Sequence, residues 1–393
     1  MNAILVLNAG SGAADGVWVL EPLAGLPLTL RAVLTLAAGG VTSVTLACGA
    51  REAAAVSPSL EAWRRRRGVP TMTLAEGETD HSVTWETPCV VADGRFFFTV
   101  MDVRRALEEG PLDAAVQAAK WTVAADTPCH PEPIHVGKEG RDVDVTTASG
   151  RREAELRLLA DLRKGTDGWF ARHLNRPVSL QLSRRLAGLP LSPNFYTAVT
   201  FAVGVAAGVV SAFGGYWNLL VGAALFQAAS VLDGVDGEIA RLTFRCSRAG
   251  EWLDSICDDL TNVVYLTGLT LGVFGDTRLL VVPILGATAV GLDGLTRMVL
   301  YATLARKGLP VTLLEYESRL KGLGPEATRL EQLVTLLVPL VKRDLQAWLA
   351  FALAAAGAAW LTLALWAVGA VVGAPVVLTR VHRLASGDEA ASP

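Results

Sequence analysis

The sequence predicts two folds in one chain: an α/β layer of parallel strands first, then an all-α domain of six membrane-spanning helices led in by an amphipathic helix. Three observations carry this. Residues 1–165 alternate short apolar runs with charged and turn residues, the composition of a water-soluble domain. From about residue 195 onward, long segments lack any charge, each of the ~20-residue length needed to cross hydrocarbon. Between these regions, residues 168–187 interleave aromatic and leucine residues with Arg172, Arg176, Arg184 and Arg185. Over all 393 residues the chain is 51% hydrophobic, with a mean hydropathy of +0.39, high for a soluble enzyme. The net charge of −3 points to no particular partner, and nucleic acid is not expected among them.

In the first domain, residues 3–7 and 41–46 are short runs rich in β-branched residues, with a helical stretch at 28–38 between them. Strand, helix, strand with Gly-rich turns is the pattern of a parallel layer. Further strand-like runs fall at 70–74, 89–91 and 96–100, and a helical pattern follows at 103–119. The Arg64–Arg67 run reads as a solvated helix end, with contact to nucleotide or anionic lipid as the alternative. Residues 126–150, rich in Pro, His, Gly and Thr, read as a linker or a late strand pair, and 151–164 as a helix of dense mixed charge. The five cysteines have no CxxC and no ligand spacing, so buried free thiols in a reducing compartment are expected. The N-terminal apolar run is too short for a signal peptide, which keeps this domain in the cytoplasm.

Residues 168–187 form a basic amphipathic helix suited to the cytoplasmic membrane surface, where lipid is its partner. Residues 195–232 then suffice for two spans, broken at Gly214-Gly215. A third span continues a helix that begins near Glu251, a fourth occupies 279–301, and 345–379 hold two more with a turn near Gly357. Arg278 is the only basic residue in the short loops on one side, and basic residues crowd the other segments. The positive-inside rule therefore puts both termini on the cytoplasmic side of the inner membrane.

The most informative segment is Asp233 to Asp258. Asp233 and Asp236 are three apart, and Asp254 and Asp258 four apart, so each pair shares one helix face. Two neighbouring spans joined by a short loop bring both pairs to one point at the cytoplasmic edge. Charged side chains at membrane depth mark function by default. Carboxylates this close repel, so they demand cations. Oxygen ligands without nearby His or Cys suit Mg2+ or Mn2+, and two ions bridged by shared carboxylates suit phosphoryl chemistry. Gly234, Gly237 and Ala240 leave room for a ligand against the backbone. Arg241 is placed to pair with a diphosphate, and Arg245, Ser247 and Arg248 offer further donors. Arg297, Arg343 and Arg380, near cytoplasmic helix ends, are candidates for an acceptor phosphate, although Asp293 stands four residues before Arg297 as a ready partner. Ion-coupled transporters also use intramembrane carboxylates and supply the competing class.

The spacing D-x2-D-G-x2-A-R-x8-G-x3-D-x3-D, met by Asp233, Asp236, Gly237, Ala240, Arg241, Gly250, Asp254 and Asp258, resembles the signature of the CDP-alcohol phosphotransferase family over residues 168–383. The resemblance implies that Asp233, Asp236, Asp254 and Asp258 hold two Mg2+ or Mn2+ ions. It implies that Asp258 also takes the acceptor hydroxyl's proton. Gly237, Ala240, Arg241 and Ser247, with Asn194 and Thr197, would contact the CDP moiety. The acceptor oxygen would attack the β-phosphorus of CDP-diacylglycerol or CDP-inositol, releasing CMP. A homodimer is implied as well. Asp259, outside the pattern, reads as a supporting or solvated residue.

Residues 3–49 are similar in outline to nucleotidyltransferases, with a strand, a Gly-rich loop and an "laG-PL-R" segment. This implies a nucleotidyltransferase-like (Rossmann-like) fold and the domain order of bifunctional enzymes joining an inositol-phosphate cytidylyltransferase to a di-inositol-phosphate-phosphate synthase. The loop departs from that pattern. Ala13-Ala14-Asp15 and the 20–24 stretch stand where the pattern has an Arg and a Lys, so a degenerate domain is expected, with a live cytidylyltransferase as the alternative. Asp93, before Gly94, reads as a turn residue first and a metal ligand second. The domains expected are 1–150, a linker helix at 151–167, the membrane domain at 168–383 and a disordered tail at 384–393.

Overall fold

The computed structural model describes residues 2–7, 17–76, 89–94, 96–109, 134–136, 143–163, 168–307 and 343–386. Contacts divide the chain into two compact units, one formed chiefly by Met1–Asp161 and one by Leu162–Leu186, Pro190–Arg241 and Arg245–Pro393.

The first unit is built on a five-stranded sheet of β1 (Asn2–Leu7), β4 (Ser43–Cys48), β5 (Thr71–Glu76), β6 (Cys89–Asp93) and β7 (Ile134–Val136). Its order is β5-β4-β1-β6-β7 and every neighbouring pair is parallel. Counting sheet strands alone, this is 3-2-1-4-5, the arrangement of doubly wound folds. Ala3, Ile4, Leu5 and Leu7 are all buried, as a central parallel strand covered on both faces requires. β1 pairs Ala3 with Val44 on one side and with Val90 on the other. Helix α1 (Leu28–Gly39) buries Val33, Leu34 and Leu36 in the same core as Leu5, Leu46 and Val56. A two-stranded hairpin, β2 (Pro22–Leu23) and β3 (Leu26–Pro27), leads into α1. Buried Arg31 holds that hairpin, its Nε and Nη2 donating to the carbonyls of Leu23 (2.9 Å) and Ala24 (3.0 Å). Burial, with the charge of Arg66 behind it, pulls Arg31 down to about 10, so its guanidinium stays charged at neutral pH.

The structure corrects three expectations in this unit. The 96–100 run is not a strand: Phe96 makes one antiparallel bridge to Asp144, and α3 (Val100–Glu109) starts at once. The reason is a capping box, in which Asp102 Oδ2 accepts from the Thr99 N–H (2.7 Å) and hydroxyl (2.8 Å). Helix α2 (Ala50–Arg64) was foreseen only at its Arg64 end; its extent was not, because Pro58 interrupts its alanine-rich pattern. Helix α4 (Ala148–Asp161) begins before the expected linker ends, and Ala154 joins the α/β core. Arg64 does end a helix, paired with Glu61 at 2.8 Å. The loop at 8–16 and residues 110–133 lie outside the described residues, as do the side chains of Cys89 and Asp93.

In the second unit a π-helical turn (Ala171–Asn175) runs into α5 (Arg176–Leu186). Then come α6 (Pro193–Ala212), α7 (Tyr216–Leu242), α8 (Arg248–Thr277) and α9 (Val281–Lys307). After residues outside the description, α10 (Arg343–Ala355) and α11 (Trp360–Ser386) follow. α11 thus continues three residues into the stretch expected to be a disordered tail. Gly214 and Gly215, both with φ near +70°, turn the chain between α6 and α7, as foreseen. Asp276 Oδ2, near the end of α8, accepts the Gly215 N–H at 2.6 Å and fastens that turn. Among the described residues, α6, α7 and residues 281–306 of α9 are long and apolar enough to cross a membrane. Exposed Val199, Val209, Leu271, Ile284, Val368 and Val371 give the bundle an apolar outer surface.

Small residues set the closest helix pair. A Cβ added at Gly204 would strike Thr261, one at Gly268 the Gly208 carbonyl, and one at Gly272 the Ser211 carbonyl. Contacts advance together along the two helices, so α6 and α8 run parallel, with a GxxxG pair on each. Farther in, Phe226 and Tyr265 stack with ring centres 4.1 Å apart and Trp366 meets Phe226 edge-on. Of the cysteines expected to be buried, Cys48 is, Cys257 is half-buried and Cys246 is exposed, because the last lies in the polar α7–α8 turn. Replacing Gly268 with Val should overpack the α6–α8 seam by about 1–3 kcal/mol. A lowered thermal unfolding midpoint of the purified chain checks this, and an unchanged midpoint contradicts the packing.

Candidate active site

Helices α7 and α8 cross at their acidic ends. Asp236 lies within hydrogen-bonding reach of Asp254, and Asp233 within reach of Asp258. The numbers rise on one helix as they fall on the other, so the two run antiparallel. Asp233, Asp254 and Asp258 each offer an oxygen within 4.8 Å of the others. Asp236 is more deeply buried, at 4% exposure. It accepts from the Thr197 hydroxyl of α6 and, at 2.5 Å, from the Gly237 N–H.

The cluster contains a cation of its own. Arg343, the first residue of α10, lies 3.2 Å from Asp233 Oδ1 and is ion-paired with Asp258 through the same Nη1. Its Nε and Nη2 are buried and have no hydrogen-bond partner among the described residues. Arg297 is committed elsewhere: Nε meets Asp293 at 2.8 Å and Nη1 meets Asp259 at 2.5 Å. Asp259, turned away from the cluster, also accepts from the Tyr301 hydroxyl. The side chain of Arg380 lies outside the described residues.

The positions expected to meet CDP gather on the Asp236 side. Ser192 caps α6 and Ser247 caps α8, the latter accepting from Gly250 N at 3.1 Å. A Cβ built on Gly250 would lie 3.1 Å from Ser247 Oγ and 3.3 Å from Asn194 Oδ1, so those side chains share one space. Arg241 stands over Gly237, where an added Cβ would be 3.4 Å from its Nη1. Arg241 Nε, too, is buried without a partner among the described residues. Half-buried Ala240 lies one residue before it on α7. Arg245 Nη1 donates to the Leu191 carbonyl at 3.1 Å and ties the α7–α8 turn to the start of α6.

Sequence reasoning passed over the other side of α7. Glu238 is fully buried there. It is held by Arg176 Nη1 (2.6 Å), Ser179 Oγ (2.8 Å) and Ser183 Oγ (2.6 Å), all from α5. Asn175 Oδ1 accepts from Gln227 of α7 and Trp348 of α10, both at 3.1 Å, and the Ala171 N–H donates to Asp344 at 2.8 Å. The signal for these contacts was present: Arg176, Ser179 and Ser183 fall on one face of α5 at helical spacing. Trp169, Leu174 and Val178 remain exposed beside exposed Arg172, Arg184 and Arg185, the mixture suited to a membrane surface.

The donor set fits a hard divalent cation: carboxylate oxygens only, from two helices, close enough to share ions. Guanidinium nitrogens of Arg241 and Arg343 that lack a partner among the described residues are of a chemistry that fits phosphate oxygens. An acid cluster of this kind within apolar helices suits phosphoryl chemistry at a membrane. Residues 190–373 match the family model for CDP-alcohol phosphatidyltransferase. Similarity to known proteins agrees. The chain is 35% identical over 130 residues to the "Bifunctional IPC transferase and DIPP synthase" of Aquifex aeolicus, covering 33% of this chain and 29% of that one. It is 34% identical over 187 residues to the protein of the same name from Rubrobacter xylanophilus, covering 47% and 39%. With the "Archaetidylinositol phosphate synthase" of Methanothermobacter thermautotrophicus it shares 36% identity over 100 residues, 25% of this chain and 50% of the relative. The matches thus span half or less of these relatives' length.

Thr197→Val removes one of the donors that hold Asp236 and leaves its carboxylate short of a partner. A loss of about 1.5–3 kcal/mol, the range for hydrogen bonds to charged groups, is expected in unfolding of the detergent-solubilised chain.

Proposed function

We propose that the chain is a membrane CDP-alcohol phosphotransferase, moving a substituted phosphate from a CDP-linked donor to an alcohol acceptor with release of CMP. The observation that carries this reading is the convergence of Asp233, Asp254 and Asp258 beside a buried arginine, two of whose nitrogens have no partner among the described residues. In this reading six helices span the inner membrane, both termini face the cytoplasm and the chain acts as a homodimer. Relatives named as IPC transferase and DIPP synthase, or as an inositol phosphate synthase, favour inositol-type chemistry. The donor is then CDP-inositol, giving an inositol phosphodiester, or CDP-diacylglycerol, giving a phospholipid.

Asp233, Asp236, Asp254 and Asp258 would hold two Mg2+ or Mn2+ ions, which when bound neutralise the diphosphate and the oxygens that attack and leave. Asn194, Thr197, Gly237, Ala240, Arg241 and Ser247 hold the CDP moiety, with Arg241 on the diphosphate. Gly237 and Ala240 keep the helix surface low enough for it to lie close. Asp258 takes the proton of the acceptor hydroxyl, whose oxygen then bonds to the β-phosphorus as the bond to CMP breaks. Arg343, whose buried Nε and Nη2 have no partner among the described residues, would contact an acceptor phosphate; Arg297, already paired twice, serves by holding Asp259. Arg380 is the third candidate for that phosphate.

A second reading adds a cytidylyltransferase in the α/β unit, favoured by the strand order and by the bifunctional names of relatives. The absence of Arg and Lys from its first loop segments speaks for a degenerate domain instead.

Purified chain incubated with CDP-donors, alcohol acceptors and Mg2+ should release CMP, and Asp254→Asn should cut that release about a thousandfold. Normal turnover in the variant refutes the ligand assignment, and solute flux into vesicles without CMP points to a transporter. Pyrophosphate release from CTP decides the second reading.

A further inference from the structure

We infer that Glu238 is a positioning residue, anchoring the interfacial helix α5 to the back of α7 so that Asp233 and Asp236 are presented at the correct rotation. This rests on the two-ion reading above. At about 100° per residue, Glu238 points roughly 170° away from the bisector of Asp233 and Asp236. The face of α7 opposite the acid pair is therefore the one that α5 grips.

The grip leaves little freedom. Both Glu238 oxygens are engaged: Oε1 by Arg176 and Ser179, Oε2 by Ser183. The side chain is 0% exposed, so water cannot replace a lost partner. Three donors spread over two turns of α5 fix rotation as well as distance, which a single contact cannot do. Gly234, expected to leave room for a ligand, instead lets the two helices approach: a Cβ there would lie 3.2 Å from Arg176 Nη1 and 3.3 Å from Ser179 Oγ. Ligand sites tolerate misplacement of only about 0.5 Å or 10–20°. Turning α7 by ~20° would carry carboxylates at the ~5–6 Å helix radius about 2 Å. The π-helical turn that leads into α5 is anchored on α10, by Trp348 donating to Asn175 and by the bond from Ala171 to Asp344, which gives α5 a reference outside α7.

The test is Mn2+ binding to the full-length detergent-solubilised chain, followed by electron paramagnetic resonance without substrate, with thermal unfolding of the same samples. Glu238→Gln keeps the shape and removes the charge. It is expected to weaken Mn2+ binding about tenfold, the low end for groups behind the ligands, in a sample that still unfolds cooperatively. Ser183→Ala, which keeps the Arg176–Glu238 pair, serves if Glu238→Gln does not fold, with roughly threefold weakening expected. Mn2+ affinity within twofold of the unaltered chain in a folded variant overturns the positioning role and leaves the two-ion reading intact. Failure of the unaltered chain to bind Mn2+ overturns both.

Discussion

Carboxylates packed a few ångströms apart in a poorly polarisable medium repel, and the membrane unit is organised around that repulsion. Two unit charges 4.8 Å apart, the outer limit within the Asp233, Asp254 and Asp258 group, oppose each other by about 3.5 kcal/mol at an effective dielectric of 20. No helix pair would hold such a cluster unaided. Arg343 offsets part of it through Asp233 and Asp258, and the donor set leaves divalent ions as the chemically matched remainder. The same constraint explains why Asp236 is furnished with a hydroxyl and a backbone N–H, and why Asp259 has its own arginine and tyrosine.

Holding charges against their repulsion requires a rigid frame, and the frame is made of absent side chains. Along α6 and α8, Gly204, Gly208, Gly268 and Gly272 let backbones meet where lipid offers no hydrophobic drive to association. α6 brings Thr197 and Asn194 to the site, and α8 brings Asp254 and Asp258. α7 is then set from behind by the buried Glu238 cluster. Breaking one side of such a buried pair typically costs 3–5 kcal/mol, large against the net stability of any domain.

Much of this was legible in the chain. The acidic spacing located the carboxylate cluster, because helical periodicity converts intervals of three and four directly into shared faces. Gly214-Gly215 and Gly357 marked turns, since only glycine takes those dihedrals cheaply. Glu238 was missed because a lone acid beside four others reads as one more member of the group; only its helical phase separates it. Arg343 was read as one candidate for an acceptor phosphate; its pairing with Asp233 depends on a helix that starts 110 residues later. Phe96 and Thr99 misled because β propensity is weaker than a good capping box. Cys246 was misjudged because a thiol's burial depends on the turn that carries it.

The parallel sheet has a consequence for biosynthesis. β1 lies between β4 and β6, and β7 closes the far edge, so the last strand needed is complete at Val136. The first span begins only at Pro193. At about 5–20 residues per second, the ribosome spends several seconds on the segment between them. The described sheet strands are thus all translated before the first candidate span, so strand pairing and membrane insertion draw on different stretches of the nascent chain.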